Sequence, residues 1–334
     1  MARVLFVTTS YPTAPGDPSG HFVQTEAELR ARAGDEIAVV APLPSARARP
    51  AQPSPASASG VRVHWLAGGD AFGWPGALSR LGSNPARALD AARFVAGARA
   101  YVRGLGAFDA VVAHFVVPCG WPIAVHAEGA LEVVAHGSDV GLVERLPRSV
   151  RVALASALLS RGARFRFVSD DLRRRFARAT SASVLGVSRV EPCAISVDGA
   201  PSRAGARARL GLGDERLGVV VGRLVASKDP VRAVRLAEQV VDRVVVVGDG
   251  PLYGSVAREC PRAVLVGRAP RTQALAWIAA ADLLVSASRE EGASTVVREA
   301  RALGTPVLAV PAGDIEDRAR RDPGITLVSS TRGT

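Results

Sequence analysis

The chain alternates short apolar runs with helical segments, and this alternation constrains the fold more than any other feature. Continuous apolar runs bounded by turn residues are typical of strands buried on both faces of a parallel sheet, with helices as the crossovers. We therefore predict an α/β protein with two doubly wound parallel sheets and with ligands at the carboxyl ends of the strands. The predicted strands are Arg3–Thr8, Glu36–Ala41, Val61–Leu66, Ala110–Ala113, Leu131–Ala135, Phe165–Val168 and Val190–Ile195, then Leu217–Val221, Val244–Val247, Val264–Val266, Leu283–Ser286 and Val307–Val310.

A change of composition near the middle of the chain separates two predicted domains. A length of 334 residues is too great for one ordinary core and suits two domains of about 150 residues each. The stretch from Ser196 to Arg209 is small and polar with Pro and Gly. We place the boundary there and predict domains over residues 1–195 and 196–334.

Proline also marks two local features of the first half. Five prolines lie between Pro42 and Gly60, which predicts a mobile loop rather than a helix or strand. Asn84-Pro85 predicts the start of a long helix that reaches Gly104, after an irregular stretch from Phe72 to Asn84.

Composition and charge exclude several classes of protein. Apolar residues make up 48% of the chain, so global disorder is excluded, and no apolar run approaches the roughly 20 residues of a membrane span. Three widely spaced cysteines argue against a disulfide framework and against a CxxC metal site. The start of the chain has no signal-peptide pattern, so a cytoplasmic location is expected. The net charge of +11 is spread out and accompanies no nucleic-acid-binding motif.

A single lysine, Lys228, stands among 41 arginines. A lysine against that background is a candidate for a task that needs a compact point charge. Arg223 lies five residues earlier, at the end of a predicted strand. The two cations can straddle a diphosphate, the arginine by its planar fork and the lysine by its point charge. An ordinary solvated turn is the alternative.

The turn Gly248-Asp249-Gly250-Pro251 resembles a dinucleotide-binding fingerprint because it follows a predicted strand. Its third glycine, Gly254, comes one residue too late, and no ribose-binding acid is well placed. A tight turn with Pro251 at the first helical position explains these residues more simply.

Two acids, Glu291 in the most specific loop of the chain and Glu299 on the predicted helix that follows, have seven residues between them. Gly292 lets the backbone approach a ligand, and the amides of residues 293–295 open a predicted helix and offer an anion site. One carboxylate on the loop and one on the helix can accept hydrogen bonds from vicinal hydroxyls. The alternative is one helix-capping acid and one surface acid.

Together these motifs resemble the retaining glycosyltransferases of family 4, which have the GT-B fold of two Rossmann-like domains facing across a cleft. The resemblance covers residues 1–311 and rests on the motifs above, on Pro12–Val23 as an opening glycine-rich loop and on His136-Gly137-Ser138-Asp139. Its carboxyl-terminal part includes Ala300-x3-Gly304-Thr305-Pro306-Val307.

This resemblance implies a hexosyltransferase of glycan biosynthesis that uses a nucleotide-diphosphate sugar, retains the anomeric configuration by front-side attack, and needs no cofactor or metal. The diphosphate would contact Arg223 and Lys228, the sugar hydroxyls Glu291, and the ribose Glu299. The implied catalytic residues are His136, Arg223, Lys228 and Glu291. The implied donor-binding residues are Gly20, Gly222, Arg223, Lys228, Gly250, Arg268, Glu291, Gly292, Ala293, Ser294, Thr295 and Glu299.

The first domain is expected to bind the acceptor, which is a glycan, a lipid-linked molecule or a small molecule. The positive charge also leaves open a peripheral contact with the anionic inner face of the membrane, whereas no nucleic acid is expected. Two other functions remain open. One is a catalytically weak sugar-nucleotide-binding partner, which the short chain end at Thr334 favours. The other is a GT-B sugar-nucleotide epimerase, which the cation pair and the two acids together disfavour.

Overall fold

The computed structural model describes residues 1–44 and 60–328. The chain forms two compact units, the first from Met1–Pro15 and Ser19–Ala194, the second from Gly16–Pro18 and Ile195–Thr334. Most of the predicted loop from Pro42 to Gly60 lies outside the described residues. Within the described ranges, no helix has the length and apolar character needed to span a membrane.

The first unit is a parallel sheet with helices between its strands. In the described residues its strand order is β3-β2-β1-β4-β5-β6-β7, and every neighbouring pair is parallel. The strands are β1 Arg3–Val7, β2 Glu36–Pro44, β3 Val61–Gly69, β4 Ala110–His114, β5 Ala130–Ala135, β6 Arg164–Phe167 and β7 Ser188–Val190. The helices are α1 His21–Arg32, α2 Ala77–Ser83, α3 Arg87–Gly104, α4 Ser138–Arg145, α5 Arg148–Ser160, α6 Asp170–Ala179 and α7 Ser183–Gly186.

The second unit repeats this architecture. Its order is β10-β9-β8-β11-β12-β13 within the described part of the chain, again parallel throughout. The prediction of two parallel α/β domains is confirmed. The strands are β8 Leu217–Val221, β9 Arg243–Val247, β10 Val264–Gly267, β11 Leu283–Ser286, β12 Val307–Ala309 and β13 Ile325–Leu327. The helices are α8 Arg203–Arg209, α9 Pro230–Ala237, α10 Tyr253–Glu259, α11 Arg271–Ala280, α12 Thr295–Ala302 and α13 Ile315–Ala319.

Two sequence predictions of local structure, for Val190–Ile195 and for Phe72–Asn84, are wrong in detail, and the stretch at the predicted domain boundary is helical in part. The strand predicted over Val190–Ile195 is instead β7, which ends at Val190, because Pro192 has no N–H to continue the ladder. The stretch Ser196–Arg209 contains α8, whose first turn is capped by the Ser202 hydroxyl accepting from the amide of Gly205 at 3.2 Å. The irregular stretch Phe72–Asn84 contains α2.

A buried ion pair joins α1 to β6 in the core of the first unit. Nη2 of Arg166 donates to Oε1 of Glu26 at 2.6 Å, and the two residues are 4% and 9% exposed. The Arg166 Nε atom lies 3.5 Å from Glu132. Burial alone would lower the pKa of Arg166, but Glu26 and the neighbouring groups Cys193 and Glu132 outweigh it and raise that pKa above its usual range.

Replacing Glu26 with Gln should destabilise the protein by about 3 kcal/mol, because a buried guanidinium then loses its main counter-charge. Chemical denaturation of the wild type and of E26Q measures this difference in the free energy of unfolding.

The matched control is Glu36→Gln, at a carboxylate that is 47% exposed and lies 3.4 Å from Arg3 and 3.8 Å from Arg62. Exposed pairs of this kind contribute about 0–1 kcal/mol. Equal losses in E26Q and E36Q would show that the Arg166–Glu26 pair has no special weight.

Candidate active site

A small pocket opens in the second unit where the strand order reverses between β8 and β11. Open parallel sheets bind ligands at such a switch point, outside the carboxyl ends of the strands. The pocket is lined by the end of β8 with the following turn, by the start of α9 and by the end of β11. Gly222, Arg223 and Lys228, three of the predicted donor-binding residues, all contribute to its wall.

Lys228, which lines this pocket, forms an ion pair with Glu291. The Nζ atom of Lys228 donates to Oε2 of Glu291, and the side chains are 26% and 12% exposed. Lys228 ends a short 3-10 turn over Ala226–Lys228, and Pro230 follows at the first position of α9. Lys228 is half-buried and ion-paired, because its turn packs beside the Glu291 loop, where the amide of Arg289 donates to the carbonyl of Ser227 at 2.8 Å.

Arg223 follows β8 directly and lies on the same pocket wall. Loss of hydration lowers the pKa of this guanidinium, and the Glu291 carboxylate opposes that effect. An arginine remains charged under these conditions because its usual pKa exceeds about 12. Two cations therefore line the pocket, and the carboxylate of Glu291 pairs with one of them.

The loop that carries Glu291 rests on the backbone before α13. The amide of Asp314 donates to the carbonyl of Gly292 at 3.1 Å. A Cβ atom on Gly313 would lie 2.3 Å from the carbonyl oxygen of Glu291 and 2.5 Å from that of Gly292. Only a residue without a side chain allows this approach, so Gly313 sets the position of the loop.

The turn Gly248–Gly250 packs against the loop of Arg223. A Cβ on Gly250 would lie 2.6 Å from the carbonyl oxygen of Leu224, and the amide of Leu224 donates to the carbonyl of Asp249 at 2.9 Å. Backbone packing therefore explains both glycines. The helix α10 begins at Tyr253, so the prediction of Pro251 at the first helical position is wrong, because residues 251 and 252 form a turn held by the amide of Leu252 on the carbonyl of Leu224 at 2.9 Å.

The start of α12 carries the other predicted donor-binding residues. Gly292 and Ser294 are buried, Ala293 is half-buried, and Thr295 is the first residue of α12. Glu299, 5% exposed, lies one turn further on. Its Oε1 atom accepts from Nη1 of Arg271 at 2.5 Å, an ion pair that the sequence did not reveal.

Arg268 and Gly20, two more of the predicted donor-binding residues, make close contacts within the chain itself. Nη2 of Arg268 donates to Oδ1 of Asp17 at 2.8 Å. Gly20 precedes α1 with φ 68°, and a Cβ there would lie 2.2 Å from the carbonyl oxygen of Ser10. The close approach at Gly20 is thus to its own loop.

His136, the predicted catalytic residue of the first unit, follows β5 and packs against His114. Nε2 of His136 lies 3.1 Å from Nδ1 of His114, and the rings stack with centroids 5.2 Å apart. Burial, followed by the neighbouring His114 and Arg166 charges, lowers the pKa of His136 well below its usual range. Both carboxylate oxygens of Asp139 accept backbone N–H groups, from His136 at 3.0 Å, Gly137 at 2.9 Å and Val116 at 2.8 Å.

Sequence reasoning missed Arg271, Asp314, His114 and Asp139 as neighbours of the predicted residues. Asp139 had a signal, since an acid three residues after His136 at a helix start can cap the backbone. Arg271, Asp314 and His114 had none, because their contacts join segments far apart in the sequence.

Replacing Gly313 with Ala should lower the free energy of unfolding by about 1–3 kcal/mol more than the matched variant Gly304→Ala. Both glycines have positive φ, 58° and 80°, but a Cβ on Gly304 meets no atom within 4 Å. Denaturation of both variants measures the difference, and hydrogen exchange at residues 290–294 should rise only in G313A. Equal behaviour of the two variants would show that Gly313 does not hold the Glu291 loop.

Comparison with known proteins supports the sequence resemblance. Residues 215–331 match the family model described as "Glycosyl transferases group 1". The chain is 26% identical over 337 aligned residues to the "Putative teichuronic acid biosynthesis glycosyltransferase TuaC" of Bacillus subtilis (strain 168), covering 94% of this chain and 82% of that protein.

Solved structures share the fold. Sucrose-phosphate synthase from Thermosynechococcus elongatus superposes with a TM-score of 0.78 at 20% identity, over 99% of this chain and 87% of that one. Anabaena HepE in complex with UDP-glucose gives a TM-score of 0.63 at 17% identity, over 95% of this chain and 82% of that one. Residues 215–331 therefore match the group 1 glycosyltransferase model, and the chain shares the GT-B fold of these solved structures.

Proposed function

We propose that this protein transfers a sugar from a nucleotide-diphosphate sugar to an acceptor hydroxyl with retention of configuration, as a hexosyltransferase of family 4. The observation that carries the proposal is the pocket at the end of β8, where Arg223 and Lys228 lie on one wall and Glu291 pairs with Lys228. Two cations that line a small pocket, with a carboxylate paired to one of them, suit a ligand that is anionic at one end and hydroxylated at the other.

The cations would bind the diphosphate and stabilise the charge that develops as it leaves. Arg223 offers a planar fork to phosphate oxygens and Lys228 a compact charge. Because both stand on short turns held by backbone contacts, their charges are oriented before the reaction. Such preorganised charge is commonly the largest contribution to catalysis.

Glu291 would exchange its contact with Lys228 for the hydroxyls of the transferred sugar. The backbone N–H groups of residues 293–295 at the start of α12 would add a partial positive charge beside the phosphates. Glu299 would accept from the ribose while Arg271, 2.5 Å away, fixes its orientation.

The transfer itself would proceed by front-side attack. The acceptor hydroxyl approaches the face from which the nucleotide leaves, its oxygen bonds to the anomeric carbon, and its proton passes to a diphosphate oxygen of the leaving group. Arg223 and Lys228, rather than a metal ion, would neutralise that leaving group.

Replacing Lys228 or Arg223 with Ala should lower turnover by roughly two orders of magnitude or more, since each removes about 3 kcal/mol of leaving-group stabilisation. Lys228→Arg should also be impaired, because a fork does not replace a point charge. Release of nucleoside diphosphate, with and without acceptor, measures turnover once thermal shift has identified a donor.

The matched control is Arg235→Ala. Arg235 lies on α9, is not among the residues that line the pocket, and forms an exposed ion pair with Glu259 of α10. Normal turnover in K228A or R223A would overturn the diphosphate assignment.

Wild-type transfer should persist in EDTA, so its abolition with rescue by Mg²⁺ or Mn²⁺ would contradict the metal-free mechanism. Donor binding without any diphosphate release would favour a binding partner, and interconversion of the free donor would favour an epimerase.

We further propose that the first unit binds an acceptor at, or anchored in, the anionic inner membrane surface. Helix α3 exposes Arg93, Arg99 and Arg103, and Leu89 on the same helix is 57% exposed. Asp90 is the one acid of α3. A basic face with an exposed apolar residue suits an anionic lipid surface.

Arg93→Gln combined with Arg99→Gln should weaken binding to anionic liposomes about fivefold, if each arginine contributes near 1 kcal/mol and half of their combined contribution is lost. Cosedimentation at low and high salt measures the effect, and binding should fade as salt rises because the attraction is screened. The control replaces Arg258 and Arg262, two exposed arginines of the second unit. Liposome binding that is absent at low salt, or that both double variants weaken equally, would contradict the assignment.

A further inference from the structure

Three potential metal ligands meet at the sheet edge of the first unit, although the sequence separates them widely. His114 ends β4, His136 follows β5, and Cys193 comes shortly after β7. Because all three strands are parallel, their carboxyl ends reach the same edge of the sheet. One ligand atom from each side chain lies within 4.8 Å of the other two.

We propose that His114, His136 and Cys193 form a binding site for a thiophilic divalent cation, with Zn²⁺ as the best-fitting ion. Two imidazoles and a thiolate are the borderline and soft ligands that zinc prefers. The proposal does not depend on the proposed sugar transfer, since it concerns binding in the first unit and assigns the ion no part in that reaction.

The two imidazoles already have nearly the spacing that a zinc ion requires. Zn–N bonds of about 2.0–2.1 Å in a tetrahedral site put two nitrogens about 3.3 Å apart. Nδ1 of His114 and Nε2 of His136 are 3.1 Å apart. A Zn–S bond of about 2.3 Å puts the sulfur about 3.6 Å from each nitrogen. Because the three ligand atoms lie within 4.8 Å of one another, a movement of the Cys193 sulfur by about 1 Å brings it to that distance.

Imidazoles bind a metal ion in their neutral form, and a cysteine binds it as the thiolate. Binding releases one proton to solvent, from the Cys193 thiol, and forms the metal–sulfur bond with its electron pair.

The surrounding charges allow a cation at this place. Arg166, the cation that interacts with Cys193, is neutralised by Glu26 at 2.6 Å and lies 3.5 Å from Glu132. Its charge favours the thiolate form of Cys193, while the two carboxylates limit its repulsion of a metal ion. Arg30 also acts on His114 and lowers its pKa, and it is the remaining positive neighbour that the ion must tolerate.

Cobalt substitution tests the site directly, because Co²⁺ bound by a thiolate gives a charge-transfer absorption in the near ultraviolet. The full chain, freed of metal by a chelator and kept reduced, is titrated with Co²⁺ alone, and Zn²⁺ is then added. We expect one equivalent of Co²⁺ to give the thiolate band, and Zn²⁺ to abolish it by displacement. Absence of this band in the wild type would overturn the proposal, whatever the variants do.

The diagnostic variant is Cys193→Ser and its matched control is Cys119→Ser, at another buried cysteine of the same unit. Thermal unfolding checks that both fold. C193S should lose the thiolate band and bind Co²⁺ at least tenfold more weakly, whereas C119S should match the wild type. A band that persists in C193S, or that disappears in C119S alone, would show that the ion binds elsewhere.

Discussion

Parallel pairing of every strand is the constraint on which the rest of the structure depends. It sends all the loops that follow the strands to one edge of each sheet. In the second unit this edge gathers the turns after β8, β9 and β11, which carry Arg223, Gly250 and Glu291. In the first unit the same rule gathers His114, His136 and Cys193 from β4, β5 and β7. Chemistry-bearing residues distant in sequence thus become neighbours without any local motif.

Charge compensation is the second theme of the molecule. Lys228 pairs with Glu291, Glu299 with Arg271, and Arg166 with Glu26, each largely withdrawn from water. A buried charge is strongly unfavourable unless it is paired. These pairs therefore allow a chain with so many arginines to bury cations beside its sheets. They also fix side-chain directions, because each partner is held by a different element.

The sequence predicts most strands well because a continuous apolar run of four to six residues has few alternatives. It also predicts the importance of Lys228 and Glu291 separately, from rarity and from loop position. It does not predict that they form an ion pair, since nothing local links residues 63 positions apart. The buried ion pair of Arg166 was missed because this residue lies within a run interpreted as apolar. The end of β7 at Val190 was missed because the prediction did not take Pro192 into account. His114 gave no signal because its partners come from other strands.

The support that Gly313 and Asp314 give to the Glu291 loop bears on which substitutions the chain can tolerate. The carbonyls of Glu291 and Gly292 rest on this short backbone segment, whereas Glu316, Asp317 and Arg320 beyond it form exposed ion pairs with one another. The two neighbouring segments therefore differ sharply in how well they tolerate substitutions. The exposed Glu316, Asp317 and Arg320 can change with little effect, while Gly313 and Asp314 are fixed by the geometry of a loop more than twenty positions earlier.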